Sequence, residues 1–575
     1  MNFRTNPILI ISLLFIPFLV SNCSQRTETS SGPVAPTGPA RTLAEVPHPT
    51  MDPLGKYTPP ITVKVIHTQN DGGFWFSSGE SFDYNIYTRR YENQLGIKYE
   101  FLWTSPSSQG TERFNIMVST GDLPDFFTVN KLQFEQLFEA GMLEDLTDPI
   151  IDYASDYLRR HLTGEYQDLL DTATRDGRYY GIGAGNAFID AANVTWLRKD
   201  YMDALGLSVP TTIDELDAFM NAMKTRNPAR LPASQTFPLA LRGADQGPFD
   251  FIMGASFYWM FNSYPPLWSN PVWYKNSRGE IEHGMFGAES RTRTRAALEK
   301  AREFHQKGYI SPSFATDTFD LMVEHIAQGR ASVLFTDVWA SWWPLNITLD
   351  NDANADWIPI GLPQAGAEPA RMGGSRVQVS HILVARKGVR NPEALVKMSN
   401  LFLDLNDNPE TMEFDAYNTD PVDGNGIFLA YPLIIHNPAF NVDALNDITE
   451  AQITGDSSNL CEAFKSFYDM AMDYAINGNI NGWPSYRNYL KDDSSLAVAN
   501  DYIKRNMVVY NEYTAEPTQF MVDNESTVKK LFDTMAVGVI SGNLGMNEYD
   551  RFITQWDTIY GNTATREVND WYRNK

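Results

Sequence analysis

The chain has 575 residues, 43% of them hydrophobic, enough for two or three domains with cores of their own. Its 46 Lys and Arg face 71 Asp and Glu, a formal charge of −25, and so acidic a surface argues against nucleic acids and polyanionic ligands. No internal repeat and no second long hydrophobic stretch is present, so the chain supplies no pore of its own.

The first residues read as an export signal. Arg4 is positive, and Ile8 to Val20 is an apolar run broken by Ser12 and Pro17, shorter than the about 20 apolar residues a spanning helix needs. It ends in Leu19-Val20-Ser21-Asn22-Cys23, which resembles a bacterial lipobox whose Cys is lipidated after residues 1–22 are removed. Asn22 departs from the small residue usual there, and an ordinary signal with an incidental Cys is the alternative. Residues 23–60, rich in Ser, Thr, Pro and Gly, read as the lipidated Cys and a flexible tether. Cys461 is then unpaired and reads as a core thiol.

Ile61 to Ile66 alternates like a strand, and Ile97 to Trp103 reads as a second. Phe114, Met117 and Val118 share a helical face that stops at Gly121. A turn then feeds a short buried strand, Phe126 to Val129, and a helix with Phe134, Leu137 and Phe138 inward and Gly141 as its stop. Thr212 and Glu215 form a capping box ahead of Leu216, Phe219, Met220 and Met223. A helix through Phe319 to Ile326 leads into a strand, Ala331 to Phe335. Asn391-Pro392 opens another helix, and Tyr549, Phe552, Ile553 and Trp556 mark an amphipathic one near the end. This alternation predicts an α/β fold with a parallel sheet.

Five stretches carry a family resemblance. They are Ser119 to Asp125 with Ala140-Gly141-Met142-Leu143; Asp176 to Ile182; Trp196 to Tyr201 with Leu205 to Thr212; Gly308 to Pro312 with Gly329 to Val333; and Ala536-Val537-Gly538 with Val568 to Tyr572. In this order they resemble the extracellular solute-binding proteins of the maltose-binding class, most closely their large lipoprotein branch, from about residue 61 to the C-terminus. The resemblance implies a two-lobed periplasmic-binding-protein-like α/β fold with a hinge, an interlobe cleft and extra C-terminal helices. It places residues 61–187 and 376–440 in one lobe and 188–375 and 441–575 in the other. It also implies a sugar or oligosaccharide ligand, ABC permease subunits as partners, a lipid anchor on the extracytoplasmic side, a monomeric state and no cofactor. Many relatives carry a calcium loop where this chain has Arg226 to Pro232; its carboxylates are missing, so no calcium is expected there. Gly181, Gly183 and Gly185 fall near the first lobe crossing, as hinge residues or as a plain turn.

A sugar presents an apolar ring face and a rim of hydroxyls, which calls for aromatic rings beside Asp, Asn or Arg. Phe335-Thr336-Asp337-Val338-Trp339 stands first. In the maltose-binding class a Trp at the position of Trp339 stacks on sugar, and Asp337 would meet a hydroxyl; a packed helix start is the alternative. Asn130 follows a strand where the family places ligand contacts, and is otherwise a helix N-cap. Trp259 is either a stacking ring or core. Arg376 would fork onto the hydroxyls or a carboxylate of a ligand, and is otherwise a surface salt bridge. Trp75, after Asp71-Gly72-Gly73, is a further candidate. The rivals are a surface receptor or adhesin on the same fold and a secreted carbohydrate-active enzyme. The latter needs two carboxylates across one cleft, and no pair stands out. GxSxG, HExxH, Walker and CxxC motifs are absent and the eight His are scattered, so no catalytic residue is assigned.

Overall fold

The computed structural model describes residues 41–69, 76, 79–241, 255–265, 271–418, 431–490 and 492–575. The expected signal peptide, Cys23 and Trp75 lie outside the described residues. Among the described residues no helix is long and apolar enough to cross a membrane.

Strand β1 (Ile61–Gln69) buries Val63, Val65 and His67 and exposes Thr62, Lys64 and Thr68, the alternation of a half-covered strand. β2 (Ile97–Pro106) runs parallel to it. β3 (Phe126–Val129) is docked by Asp125, whose carboxylate accepts from Lys64 N at 2.8 Å and from Arg386 Nη2 at 2.7 Å. After the small hairpin β4 (Thr174–Arg175) and β5 (Arg178–Tyr179) come β6 (Gly181–Ala187) and β7 (Asn193–Arg198). A second hairpin, β8 (Trp273–Lys275) and β9 (Ile281–His283), precedes β10 (Val333–Asp337) and β11 (Trp357–Ile360), which flank β7. β12 (Met372–Gly374) pairs with β14 (Val508–Tyr510), and β13 (Val377–Ala385) lies between β3 and β6.

The expected parallel sheet is corrected. Among the described strands only β1–β2 and β12–β14 are parallel; β10–β7–β11 and β3–β13–β6 are antiparallel throughout. β13 comes back to β3 from some 250 residues away in sequence, and strand–helix alternation carries no information on the direction of so distant a partner.

Buried side chains fall into separate cores. One spans 43–184 and 377–435, with a smaller one beside it around Phe127, Phe134 and Ile382. The largest gathers 187–372 and 412–568, including the C-terminal helices Gln519–Ile540, Asn547–Trp556 and Asn562–Asn574. The chain passes between them at β6–β7 and returns at β12–β13. This is a two-lobed α/β architecture with added C-terminal helices. Tight caps set the local boundaries: Thr212 accepts from Glu215 N, and Glu215 in turn accepts from Thr212 N.

Residues 41–60 are not a free tether. Leu43 is 3% exposed and its N–H donates to Tyr179 Oη at 3.0 Å. Arg41 pairs with Asp152 at 2.9 Å, Lys397 donates to Gly55 O at 2.8 Å, and buried Arg159 donates to Val46 O. The composition is poor in apolar residues, but Leu43 anchors it and backbone carbonyls do the rest. Leu43→Ala is expected to cost about 2–4 kcal/mol in urea unfolding. A loss under about 0.5 kcal/mol would mean this segment is peripheral.

Gly181, Gly183 and Gly185 are neither a turn nor positions of positive φ; they lie inside β6. A Cβ on Gly183 would overlap the Leu169 carbonyl, and one on Gly185 the Gln378 carbonyl. Close backbone approach, not torsional freedom, requires glycine here. Cys461 is half-buried and starts the helix Glu462–Asn477, with burial pushing its thiol pKa up.

Candidate functional site

A cavity of about 330 Å³ opens over the β1–β2–β3 region. Ile66, His67 and Thr68 from the end of β1, Trp103 from β2, Thr128 from β3 and Asn130 just after it line one side. Phe114 and Gln133 come from two helices, while His381, Tyr431, Pro432 and Ile434 close the other side. Ends of strands leave room for a ligand because the flanking helices begin or finish there.

Asn130 is both a cap and a wall. Its Oδ1 accepts from Gln133 N at 2.8 Å, and Gln133 Oε1 accepts from Asn130 N at 3.0 Å. This reciprocal box uses both amide oxygens and leaves the two NH2 groups outside it. His381 faces Ile434 O through Nε2 at 2.7 Å, so the proton sits on that nitrogen, and burial lowers the ring's pKa. Trp103 is half-buried, its Nε1 donating to Met117 Sδ at 3.2 Å and the Arg113 guanidinium lying 5.7 Å from its ring. Tyr431 braces the floor among stacked rings of Tyr87, Tyr91 and Phe402. The described lining holds no Asp, Glu, Lys or Arg: it offers an indole, two carboxamides, three hydroxyls and two imidazoles.

The other sequence candidates lie elsewhere. Asp337 ends β10 and caps the turn Val338–Ser341, accepting from Trp339 N at 2.9 Å; burial pushes its carboxyl up to about 6. Trp339 is partly exposed and donates from Nε1 to Asp190 O at 2.9 Å. Asp337 and Trp339 thus make these local hydrogen bonds at the start of the turn, and neither lines the cavity. Trp259 is 2% exposed, packed in the largest core, which makes it a core residue and not an open stacking platform. Arg376 is exposed and lies 4.0 Å over the Tyr510 ring, with Phe188 edge-on to that ring at 5.8 Å. Its partner is an aromatic face, not the expected carboxylate. At Arg226 to Pro232, Asn227 closes the helix Ile213–Arg226 in a left-handed conformation and accepts from Leu231 N at 3.1 Å.

Trp103, Gln133 and His381 were missed by sequence reasoning. Trp103 ends an apolar strand, the one local hint; His381 sits within a strand whose neighbours are unreadable from sequence. Asp190 was missed as well. On the short crossing helix Phe188–Ala191, it accepts from Asn441 Nδ2 at 2.9 Å, Asn441 in turn accepts from Tyr489 Oη at 2.9 Å, and burial holds the Asp190 carboxyl up at about 7.

The sequence profile of bacterial extracellular solute-binding proteins matches residues 75–403. A polygalacturonan/rhamnogalacturonan-binding protein of Bacillus subtilis is 26% identical over 245 residues, 42% of this chain and 44% of that one. A fructooligosaccharide ABC transporter substrate-binding protein of Streptococcus pneumoniae is 24% identical over 302 residues, 50% of this chain and 52% of that one. The chain thus spans about half the length of these curated relatives. Among solved structures, an HMO-binding, ABC-transporter-associated solute-binding protein from Bifidobacterium longum infantis superposes with a TM-score of 0.59 at 16% identity, covering 89% of this chain and 98% of that one. At that identity the likeness is one of fold.

Proposed function

Because the chain belongs to the family of bacterial extracellular solute-binding proteins, we propose that it is the substrate-binding lipoprotein of an ABC importer, taking a sugar or oligosaccharide. The observation that carries the ligand class is the cavity lining: a half-buried indole beside uncharged groups that donate and accept hydrogen bonds. An indole covers the apolar face of a pyranose or furanose, while carboxamides and hydroxyls meet its rim. Lobe 1 comprises 61–187 and 376–440, with 41–60 packed on it, and lobe 2 comprises 188–375 and 441–575; closure about the β6–β7 and β12–β13 crossings seals the ligand between them. Cys23 carries the lipid, the protein acts as a monomer, and it releases its ligand unchanged to permease subunits. Among the described residues that line the cavity there is no Asp or Glu.

The test is a thermal-shift series on the chain from residue 41 onward with kestose, raffinose, maltotriose and trigalacturonate, and triglycine as a control. A ligand that binds only the folded chain raises Tm by mass action. A shift with at least one sugar, recovered intact by mass spectrometry, is the expected result. A cleaved sugar would replace the receptor with an enzyme, and a shift with triglycine alone would replace the ligand class.

A further inference from the structure

Lys131 and Glu516 form an ion pair that joins the two lobes, with Nζ 3.7 Å from Oε1 and the side chains 30% and 20% exposed. Lys131 opens the helix Lys131–Glu139, whose Phe134 and Leu137 belong to the small core of the first lobe. Glu516 lies between β14 and the helix Gln519–Ile540, in a loop whose Tyr513 belongs to the largest core. A second cation, Arg175, acts on the same carboxylate. It is fixed to the first lobe by its pair with Glu135, by donating to Thr174 O at 2.7 Å, and by lying 5.0 Å over the Phe134 ring.

The second lobe holds Glu516 from behind. Tyr513 Oη donates to Glu516 O at 2.6 Å, and the Tyr513 ring packs edge-on to Trp571 at 5.1 Å. Thr518 caps the helix Gln519–Ile540, and its hydroxyl donates to Glu567 of the last helix at 2.6 Å. Asn511 Oδ1 accepts from Trp273 N at 2.9 Å. The C-terminal helices thus present the carboxylate on a loop tied down along its length. Burial pushes the Glu516 carboxyl up, and Lys131 and Arg175 oppose that push, so its charge is stabilised by the first lobe. Glu516 does not line the cavity, but Lys131 directly follows Asn130 and shares a helix with Gln133, both of which do. Parting the lobes would return both charges to water, so the pair acts in one interlobe arrangement only. A contact of that kind sets the population of the arrangement, and apparent affinity scales with the population of the binding-competent state.

We propose that Glu516 is a latch between the lobes: by pairing with Lys131, beside Arg175, it biases the chain toward the closed arrangement and raises ligand affinity without touching ligand. It rests on the solute-binding function proposed above. It also gives the added C-terminal helices a part in closure, as the frame that aims Glu516 at the first lobe.

The experiment compares the wild-type chain with Glu516→Gln, Glu516→Lys and the charge swap Glu516→Lys with Lys131→Glu. Small-angle X-ray scattering without sugar reads the opening of the lobes, and calorimetric titration with kestose, raffinose and maltotriose reads affinity. Glu516→Gln, of the same shape, is expected to bind about threefold more weakly, and Glu516→Lys about tenfold, with a larger radius of gyration. The swap is expected to recover part of both losses, which a merely structural role of either side chain would not do. Added salt should weaken binding by the wild-type chain more than by Glu516→Gln. If Glu516→Lys misfolds by circular dichroism, the salt response of Glu516→Gln decides: a response equal to that of the wild type overturns the latch. An unchanged radius of gyration in folded Glu516→Lys overturns it, as does wild-type affinity in that variant or a swap that recovers nothing. If no sugar binds the wild-type chain yet Glu516→Lys expands and the swap contracts it again, the latch stands and the sugar reading falls.

Discussion

Gly185→Ala is expected to destabilise the protein by about 3 kcal/mol in urea unfolding, a large effect for one methyl group. The methyl would overlap the Gln378 carbonyl and stand 2.9 Å from Val379 Cα. Both belong to β13, a backbone ladder and not a flexible side-chain end, so relief requires the two strands to part. The β6–β13 register already shifts between Val379 and His381, and further splaying would break bonds on either side of that irregularity. β13 also carries His381, a wall of the cavity, so ligand affinity should fall together with stability. Gly366→Ala is the control: nothing lies within 4 Å of its added methyl, and a change within about 0.5 kcal/mol is expected. Equal stability of the two variants would show that β6 and β13 are not packed as tightly as described.

Trp103→Ala is expected to weaken sugar binding by roughly 30-fold, about 2 kcal/mol, with Trp103→Phe retaining most of the affinity. The indole is the largest apolar face on the cavity wall and is held by Met117 Sδ behind it. Truncation removes the ring that would cover the sugar and lets water into the cleft. Affinity is to be measured by calorimetry at a temperature where circular dichroism shows both variants folded, which separates lost contact from lost fold. Wild-type affinity in Trp103→Ala would move the stacking surface to Trp339 or to the Tyr510–Arg376 pair at the crossing.

By itself the sequence determined what short-range chemistry encodes. The strand Phe126–Val129, the capping box at Thr212, the helix stop at Gly121 in left-handed conformation and the amphipathic helix around Tyr549 all emerge where they were expected. Asn130 was legible as a helix cap, because an Asn after a buried strand caps the next helix, and the same residue lines the cavity. The motif residues Asp122 to Asp125 marked the family, and Asp125 proves to be the clamp that ties β3 to β1 and to Arg386.

Tertiary structure decided the rest, because each outcome depends on which faces meet across long stretches of chain. The cavity draws on β1, β2, β3, β13, two helices and Tyr431, Pro432 and Ile434, a convergence no spacing could reveal. Trp259 and Trp103 are equally aromatic in sequence; packing in the largest core seals Trp259, and a place on the cavity wall opens Trp103. Residues 41–60 looked unable to fold alone, and they do not: they borrow Tyr179 and Lys397 from a core already formed. Glycines in β6 suggested freedom, and the approach of β13 turned them into a requirement for closeness. Periodicity and caps are local and survive in one dimension; burial, strand partnership and the pairing of polar atoms are properties of the assembled fold.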